Sequence, residues 1–148
     1  RHGGHPADQH RGVARAAGLE VFFTVNAGPT ARDGTGAFDA ESARALVRYS
    51  RAQGHPVAVW ELGNETNAHW LFFGIRQQPS GAQLAADVAA LRALVQAEGP
   101  GALVAGPATV FWPRLGEIPS PPRASILSAY AAQSGGHPDV LTWHYYPS

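Results

Sequence analysis

The residues most capable of chemistry stand together at positions 60–67, which read Trp-Glu-Leu-Gly-Asn-Glu-Thr-Asn. Glu65 follows directly on Asn64 where an apolar run ends. A buried carboxyl group can donate a proton near neutral pH, and glycoside hydrolysis uses such an acid together with a second carboxylate. A neighbouring amide can hydrogen-bond a sugar hydroxyl. The stretch favours acid–base chemistry on a glycosidic bond, although an Asn-Glu pair alone is more typical of a turn with a solvated glutamate.

A second carboxylate in this stretch, Glu61, lies inside the apolar run. We expect it to be structural and paired with an arginine. The 148 residues include no cysteine, which excludes disulfides, thiolate zinc sites and a cysteine nucleophile. His2, His5 and His10 are scattered in a polar segment, 1–10, that we expect to be irregular and solvated. We therefore predict no metal site.

The charge and hydropathy of the chain exclude two classes of partner. The 11 arginines are balanced by 11 acidic residues, and this balance argues against a nucleic-acid partner or an anionic membrane surface. No apolar run approaches the roughly 20 residues that a membrane span needs. The hydrophobic content of 45% is sufficient for a packed core. We predict a globular chain with no nucleic-acid partner and no membrane span.

The chemical residues must be positioned by β-strands, which four compact apolar runs predict. These runs are bounded by glycine, proline or polar residues, as buried strands are. They cover residues 19–25, 57–62, 103–105 and 140–144. The long connection over residues 63–80 has no clear pattern, and we expect it to be a loop.

Helical patterns separate the four strands. Asp39 can cap a helix that reaches about residue 53. Ser80 and Gln83 form the capping box of another helix that ends at Gly99. Two further helices are expected, near 12–17 and over a segment that carries Ile126, Leu127 and Tyr130 and ends at 135–136.

Alternating strands and helices predict an α/β fold with a parallel sheet. The strands end about 40 residues apart, so eight such units need roughly 300 residues, within the size range of a (β/α)₈ barrel. A doubly wound sheet is the alternative, but Pro29 interrupts the glycine-rich turn that usually follows its first strand. We favour a partial barrel. In such barrels the active site lies at the carboxyl ends of the strands, where Glu65 is placed.

The order of the motifs resembles glycoside hydrolase family 79, the heparanase and β-glucuronidase family of retaining (β/α)₈-barrel glycosidases. Residues 60–67 are similar to the acid/base signature at the end of its fourth strand. Residues 18–26, which end in Asn, resemble its third strand. Ala-Gly-Pro at 105–107 resembles its fifth strand, and Thr-Trp-His-Tyr-Tyr at 142–146 resembles its sixth. The chain would then hold about the third to sixth strands of the barrel.

This resemblance covers about residues 12–147, with poor agreement over 66–80 and 108–122. It implies that residues 1–148 are a fragment of one catalytic barrel domain, and the absence of methionine agrees with a start upstream of Arg1. The family's nucleophile is a second glutamate well beyond the Trp-His strand, so it would lie after Ser148. We expect the isolated chain to be inactive and to expose open sheet edges and helix faces.

Carried over residue by residue, the resemblance implies five site residues. Glu65 would be the acid/base, and Asn64 its sugar-binding neighbour. His144 and Tyr146 lie two residues apart at a strand end, so both would face the site and contact the sugar or orient the carboxylates. Asn26 would lie at the rim of the site, although an asparagine that closes a strand often only makes a turn.

Other residues near these motifs receive weaker assignments. Glu117 superficially resembles the family's nucleophile turn, but it precedes the Trp-His strand, so we assign it no catalytic role. Tyr145 stands where the family has a second histidine and receives no role either. Aromatic residues in the loops after the second and third strands would either stack on sugar rings or pack on the barrel; they are Trp70, Phe72, Phe73 and Trp112.

The resemblance implies a retaining β-glucuronidase or heparanase-like enzyme that cleaves glucuronides or uronic-acid polysaccharides. It implies an extracellular or periplasmic location, a carbohydrate substrate related to glycosaminoglycans, and no metal or organic cofactor. Two alternatives stay open. One is another retaining barrel glycosidase of the same clan that acts on a different sugar. The other is a truncated, non-catalytic barrel that binds carbohydrate.

Overall fold

The computed structural model describes residues 13–14, 16–111, 126–133 and 137–146. Its strands are β1 (Phe22–Val25), β2 (Val59–Leu62), β3 (Leu103–Phe111) and β4 (Val140–Tyr145). Its α-helices are α1 (Glu41–Ala52), α2 (His69–Phe73), α3 (Gly81–Glu98) and α4 (Ile126–Ala131). Short 3₁₀ turns cover Pro29–Ala31, Thr66–Ala68 and Ile75–Gln77.

The four strands form one parallel sheet in the order β1-β2-β3-β4. Thr24 on β1 lies beside Glu61 on β2, and Glu61 lies beside Ala105 on β3. The α/β class is confirmed. The order of the described strands follows the sequence, without the reversal that marks a doubly wound sheet, and it is compatible with part of a barrel wall. All four carboxyl ends therefore meet along one edge.

The core lies between the sheet and helix α3. On the sheet side, Trp60, Leu62 and Val104 are almost fully buried. The helix meets them with the apolar face that its sequence predicts, Leu84, Val88, Leu91 and Val95, all buried. Burial of a side chain of this size stabilises the fold by about 1.5–3 kcal/mol. Helix α1 packs against α3 and adds Ala43 and Val47 to the same core.

The opposite face of the sheet carries polar side chains, because side chains alternate along each strand. The hydroxyl of Thr24 donates to Glu61 Oε2 at 2.7 Å. Glu61 is buried, as expected of a structural carboxylate, but its partner is this threonine and not the predicted arginine. The register of β1 and β2 decides this pairing, since it places the two residues side by side.

Helix ends follow the predicted caps with two changes. The Ser80 hydroxyl accepts from the Gln83 N–H at 3.1 Å, but the Gln83 side chain donates to Asp87, so the reciprocal half of the capping box is replaced. The Asp39 carboxylate accepts from the Glu41 N–H at 3.1 Å, which caps α1 from one residue before its N-cap. Helix α3 ends at Glu98, directly before Gly99, as predicted.

Predictions of element bounds were wrong at four places. Strand β2 begins at Val59 and not at residue 57. Strand β1 begins at Phe22, and Leu19 is exposed. Residues 63–80 are not irregular, since they contain α2 and two 3₁₀ turns. Strand β3 continues six residues past Ala105 through Pro107, because its pairing with β4 shifts between Pro107 and Thr109. The irregularity leaves Ala108 as an extra residue, and a proline is tolerated beside such a bulge.

Candidate active site

Glu65 lies just beyond β2, at the carboxyl edge of the sheet. Its backbone is left-handed, with φ 50° and ψ 43°, which is uncommon for a residue other than glycine. The Glu65 N–H donates to the carbonyl of Ala108 on β3 at 2.8 Å. On the other side, the N–H of Gly63 donates to the carbonyl of Val25 on β1 at 2.9 Å. The turn that carries Glu65 is therefore bonded to both neighbours of β2.

Two side chains from the end of β4 contact one oxygen of the Glu65 carboxyl group. The Tyr146 hydroxyl donates to Oε1 at 2.8 Å, and His144 Nδ1 lies 3.0 Å from the same atom. Glu65 itself is only 7% exposed. The structure thus brings three of the five predicted site residues into one hydrogen-bonded group, and the two β4 residues point the same way.

The Glu65 carboxylate changes the acidity of its tyrosine partner. The hydrogen bond from Tyr146, and next the negative charge of Glu65, raise the pKa of the Tyr146 phenol above its ordinary value. A negative charge beside an acid disfavours ionisation of that acid. Tyr146 therefore remains a protonated hydrogen-bond donor throughout the neutral pH range.

A cleft of about 430 Å³ opens beside Glu65. Residues 24–28 at the end of β1 and residues 63–65 after β2 form two of its walls, and α2 contributes the third through His69, Phe72 and Phe73. Asn64 is exposed in this cleft, next to the carboxyl group. A ligand in the cleft would therefore meet an amide, a carboxyl group and aromatic rings together.

Asn26 also lines the cleft, but its side chain serves the local turn. Its Oδ1 accepts from the Gly28 N–H at 2.8 Å, and its Nδ2 donates to the Thr30 hydroxyl at 3.0 Å. This is the turn geometry that an asparagine adopts at the end of a strand. Asn26 therefore shapes the rim of the cleft through its backbone turn.

Two residues near Glu65 received no role from the sequence. Asn67 is buried, and its side-chain amide bonds both the N–H and the carbonyl of Val110 at 2.9 Å. His69 lines the cleft; its burial, and next the charge of Arg32, lower the pKa of its imidazole. His69 is therefore uncharged at neutral pH. The only available signal was that Asn67 closes the 60–67 stretch, and His69 had none.

The aromatic residues of the predicted loops divide into two groups. Phe72 and Phe73 line the cleft and are 58% and 52% exposed. Trp70 is half-buried, and its backbone N–H donates to Oε1 of the Gln78 side chain. Trp112 lies outside the described residues. Two of the four thus reach the cleft, on the α2 side of Glu65.

Other predicted features lie elsewhere. Glu117, the three terminal histidines and segment 1–10 fall outside the described residues. Tyr145 is exposed on the face of β4 opposite to His144. A cavity larger than this cleft, of about 790 Å³, lies at the amino ends of the strands. None of the predicted site residues lines it. We therefore take the smaller cleft as the candidate site, because it holds the buried carboxyl group.

Comparison with known families agrees with this chemistry. A carboxyl group at the carboxyl edge of a parallel α/β sheet, beside an exposed amide, is an arrangement that the hydrolysis of a glycosidic bond can use. The model of the glycosyl hydrolase family 79 N-terminal domain matches residues 8–111, more than half of the chain. The chain therefore belongs to glycosyl hydrolase family 79, a glycoside hydrolase family whose substrates are carbohydrates. No curated protein matches the chain.

None of the described helices is long and apolar enough to cross a membrane. No group of three or more His, Asp or Glu side chains in the described part of the chain is placed to hold a metal ion.

Proposed function

We propose that the protein to which this chain belongs is a retaining β-glucuronidase or heparanase-like hydrolase, with Glu65 as its acid/base. The four described strands would be the third to sixth strands of a (β/α)₈ barrel. The observation that carries the proposal is the Glu65 carboxyl group, buried at the carboxyl edge of the sheet and hydrogen-bonded by Tyr146. Family membership supports the hydrolysis of glycosidic bonds.

In this proposal Glu65 protonates the glycosidic oxygen as the bond to the leaving group breaks. A second carboxylate attacks the sugar, and Glu65 then removes a proton from the water that releases it. We assign the second carboxylate to no residue of this chain. Tyr146 and His144 both contact Oε1, so Oε2 is the oxygen that can carry the transferred proton.

The cleft walls supply the binding groups of the proposal. Asn64 is exposed beside Glu65, where its amide can hydrogen-bond a sugar hydroxyl, and such bonds strengthen in the transition state. Phe72 and Phe73 offer exposed apolar rings to a sugar bound in the cleft. The rim turn at Asn26 bounds the opposite wall.

The test uses the product of the complete gene and aryl β-glucuronides of increasing leaving-group pKa. We expect Glu65→Gln to lower kcat/KM by about 10²–10⁴-fold for poor leaving groups, because they depend on protonation. Activated leaving groups depart without an acid and should be much less affected in the bond-breaking step. The matched control is Glu61→Gln, which alters a buried glutamate four residues earlier and keeps an acceptor for Thr24.

Each outcome decides one part of the proposal. Equal rates for Glu65→Gln and the unaltered enzyme on poor leaving groups would refute the acid/base assignment. Activity on β-glucosides without activity on β-glucuronides would replace the uronate substrate by another sugar. Saturable sugar binding with no turnover of any aryl glycoside would favour the non-catalytic alternative.

A further inference from the structure

The side chain of Asn67 pairs with strand β3 in the manner of a backbone segment. Its Nδ2 donates to the Val110 carbonyl at 2.9 Å, and its Oδ1 accepts from the Val110 N–H at 2.9 Å. Both residues are buried, so water does not compete for these bonds. Asn67 does not line the cleft. It holds the chain two residues after Glu65 against β3 without being able to touch a ligand there.

The same stretch of β3 also holds Glu65. The Ala108 carbonyl accepts from the Glu65 N–H, and the Ala108 N–H donates to the Thr142 hydroxyl of β4 at 3.2 Å. Among the described residues, Glu65 and Ala108 are the two that have a positive φ without being glycine, and they are bonded to each other. Such conformations persist where the surroundings over-determine them, and they cluster at functional sites.

We propose that Asn67 is a positioning residue. It fixes Glu65 against β3 beside the bulge at Ala108, so that the Glu65 carboxyl group stays within reach of His144 and Tyr146. Two bonds from Asn67 to Val110 and one from Glu65 to Ala108 attach residues 65 and 67 to alternate positions of one strand. Without the Asn67 amide, the N–H and the carbonyl of Val110 both lose their side-chain partner. The bond from the Glu65 N–H to the Ala108 carbonyl must then hold the left-handed backbone of Glu65 alone. The effect of Asn67 on catalysis rests on the proposed function of Glu65. Its effect on the position of the Glu65 carboxyl group does not.

The experiment compares Asn67→Ala with a control that removes a similar contact at the other end of β3. The Asp139 carboxylate accepts from the Val104 N–H at 2.9 Å near the amino end of that strand. Asp139→Ala therefore removes a side-chain bond to the same strand, together with the ion pair between Arg92 and Asp139, and both contacts are remote from Glu65. Both variants are made in the product of the complete gene, and both are compared with the unaltered protein.

The first readout is the titration of Tyr146, followed by NMR of ring-labelled tyrosine and assigned with Tyr146→Phe. The contact with Glu65 raises the Tyr146 pKa in the unaltered protein. We expect Asn67→Ala to return this pKa toward its ordinary value, because Glu65 moves away, while Asp139→Ala leaves it raised. A folded Asn67→Ala protein with an unchanged Tyr146 titration overturns the proposal, whether or not any glycoside is cleaved.

The second readout is catalysis. We expect Asn67→Ala to lower kcat by about 10-fold to 100-fold on poor leaving groups, as a misplaced catalytic group does, with KM little changed. An equal loss on activated and poor leaving groups overturns the assignment to the acid. If Asn67→Ala does not fold, Asn67→Asp keeps the bond from the Val110 N–H and allows the same measurements. An inactive unaltered protein removes the proposed function, and the Tyr146 titration still decides the positioning role.

Discussion

Two buried carboxylates, Glu65 and Asp87, occupy opposite kinds of surroundings. Asp87 is 1% exposed and has three donors: Arg32 Nη1 at 2.8 Å, the Gln83 side-chain amide at 2.7 Å and the Phe38 N–H at 3.3 Å. Both of its oxygens are occupied, and a positive charge compensates its own.

Glu65 is nearly as buried, but its partners are a tyrosine and a histidine, both on Oε1. No donor to Oε2 is found among the described residues. Asp87 is thus paired with a guanidinium and has both oxygens bonded, whereas Glu65 lines the cleft with one oxygen that has no donor among the described residues. Burial alone therefore does not distinguish the two carboxylates; their hydrogen-bond partners do.

Replacing each carboxylate by its amide should separate these two roles, with the largest effects that we predict. Asp87→Asn leaves the buried Arg32 charge uncompensated and should lower the free energy of unfolding by about 3–5 kcal/mol. Glu65→Gln should change it by less than about 1 kcal/mol while abolishing most activity on poor leaving groups. Urea denaturation of both variants measures the difference. A Glu65→Gln protein less stable than Asp87→Asn would contradict the comparison.

Two glycines allow the site and the helical layer to be compared at equal backbone strain. Gly63, beside Glu65, and Gly54, after α1, both have φ +67°. A Cβ at Gly54 would meet nothing within 4 Å, whereas one at Gly63 would lie 2.8 Å from Thr66 Cγ2 and 2.9 Å from Ala27 Cβ. Alanine at either position must adopt a left-handed conformation, which costs about 1–2 kcal/mol.

We therefore expect Gly54→Ala to show only this conformational cost. Gly63→Ala should lose a further 1–3 kcal/mol or so from overpacking, and it should also lower activity because the turn of Glu65 must shift. Thermal unfolding and kcat on an aryl glycoside measure the two effects. Equal unfolding temperatures for the two variants would show that the turn of Glu65 accommodates a Cβ at position 63 without overpacking.

A third carboxylate, Glu98, lies on helix α3, and its replacement has the smallest effect that we predict. Glu98 on α3 is bonded by Arg48 and Arg44 of α1, and these bonds lower its pKa from 4.5 to about 2. A carboxylate whose pKa falls on folding stabilises the protein above its unfolded pKa. The contribution of Glu98 is therefore complete above pH 4.5 and lost as the pH falls toward about 2.

Stability should accordingly decline less steeply over this acid range in Glu98→Gln than in the unaltered protein. Because the Arg48 side chain is largely exposed and that of Arg44 partly so, the difference should be small and should shrink further in high salt. Chemical denaturation at a series of pH values, with and without added salt, measures it. A larger pH dependence in the variant would reverse the sign that we derive.

Much of the fold was predictable because it depends on local patterns. The apolar runs around β1, β2 and β4 and the buried face of α3 were correct in position. The extension of β3 was missed because Pro107 is normally a strand breaker, and only pairing with β4 shows that a bulge accommodates it. The partner of Glu61 was wrong because strand register, which the sequence does not display, decides which side chains are neighbours.

The candidate site divides in the same way. The placement of Glu65 at a strand end and the common direction of His144 and Tyr146 were predictable from strand periodicity. The role of Asn67 was not, because it depends on a backbone group of β3, 43 residues away.

The α/β alternation, the position of Glu65 at a carboxyl end and the resemblance to family 79 follow from the sequence alone, since they depend on local spacing and residue type. Which polar groups meet depends on the tertiary structure. His144 and Tyr146 reach Glu65 across 79 and 81 residues, and Arg32 reaches Asp87 across 55. Hydrogen bonds and ion pairs act over about 3 Å, so they depend on the register and packing that bring distant residues together, and no periodicity along the chain encodes those.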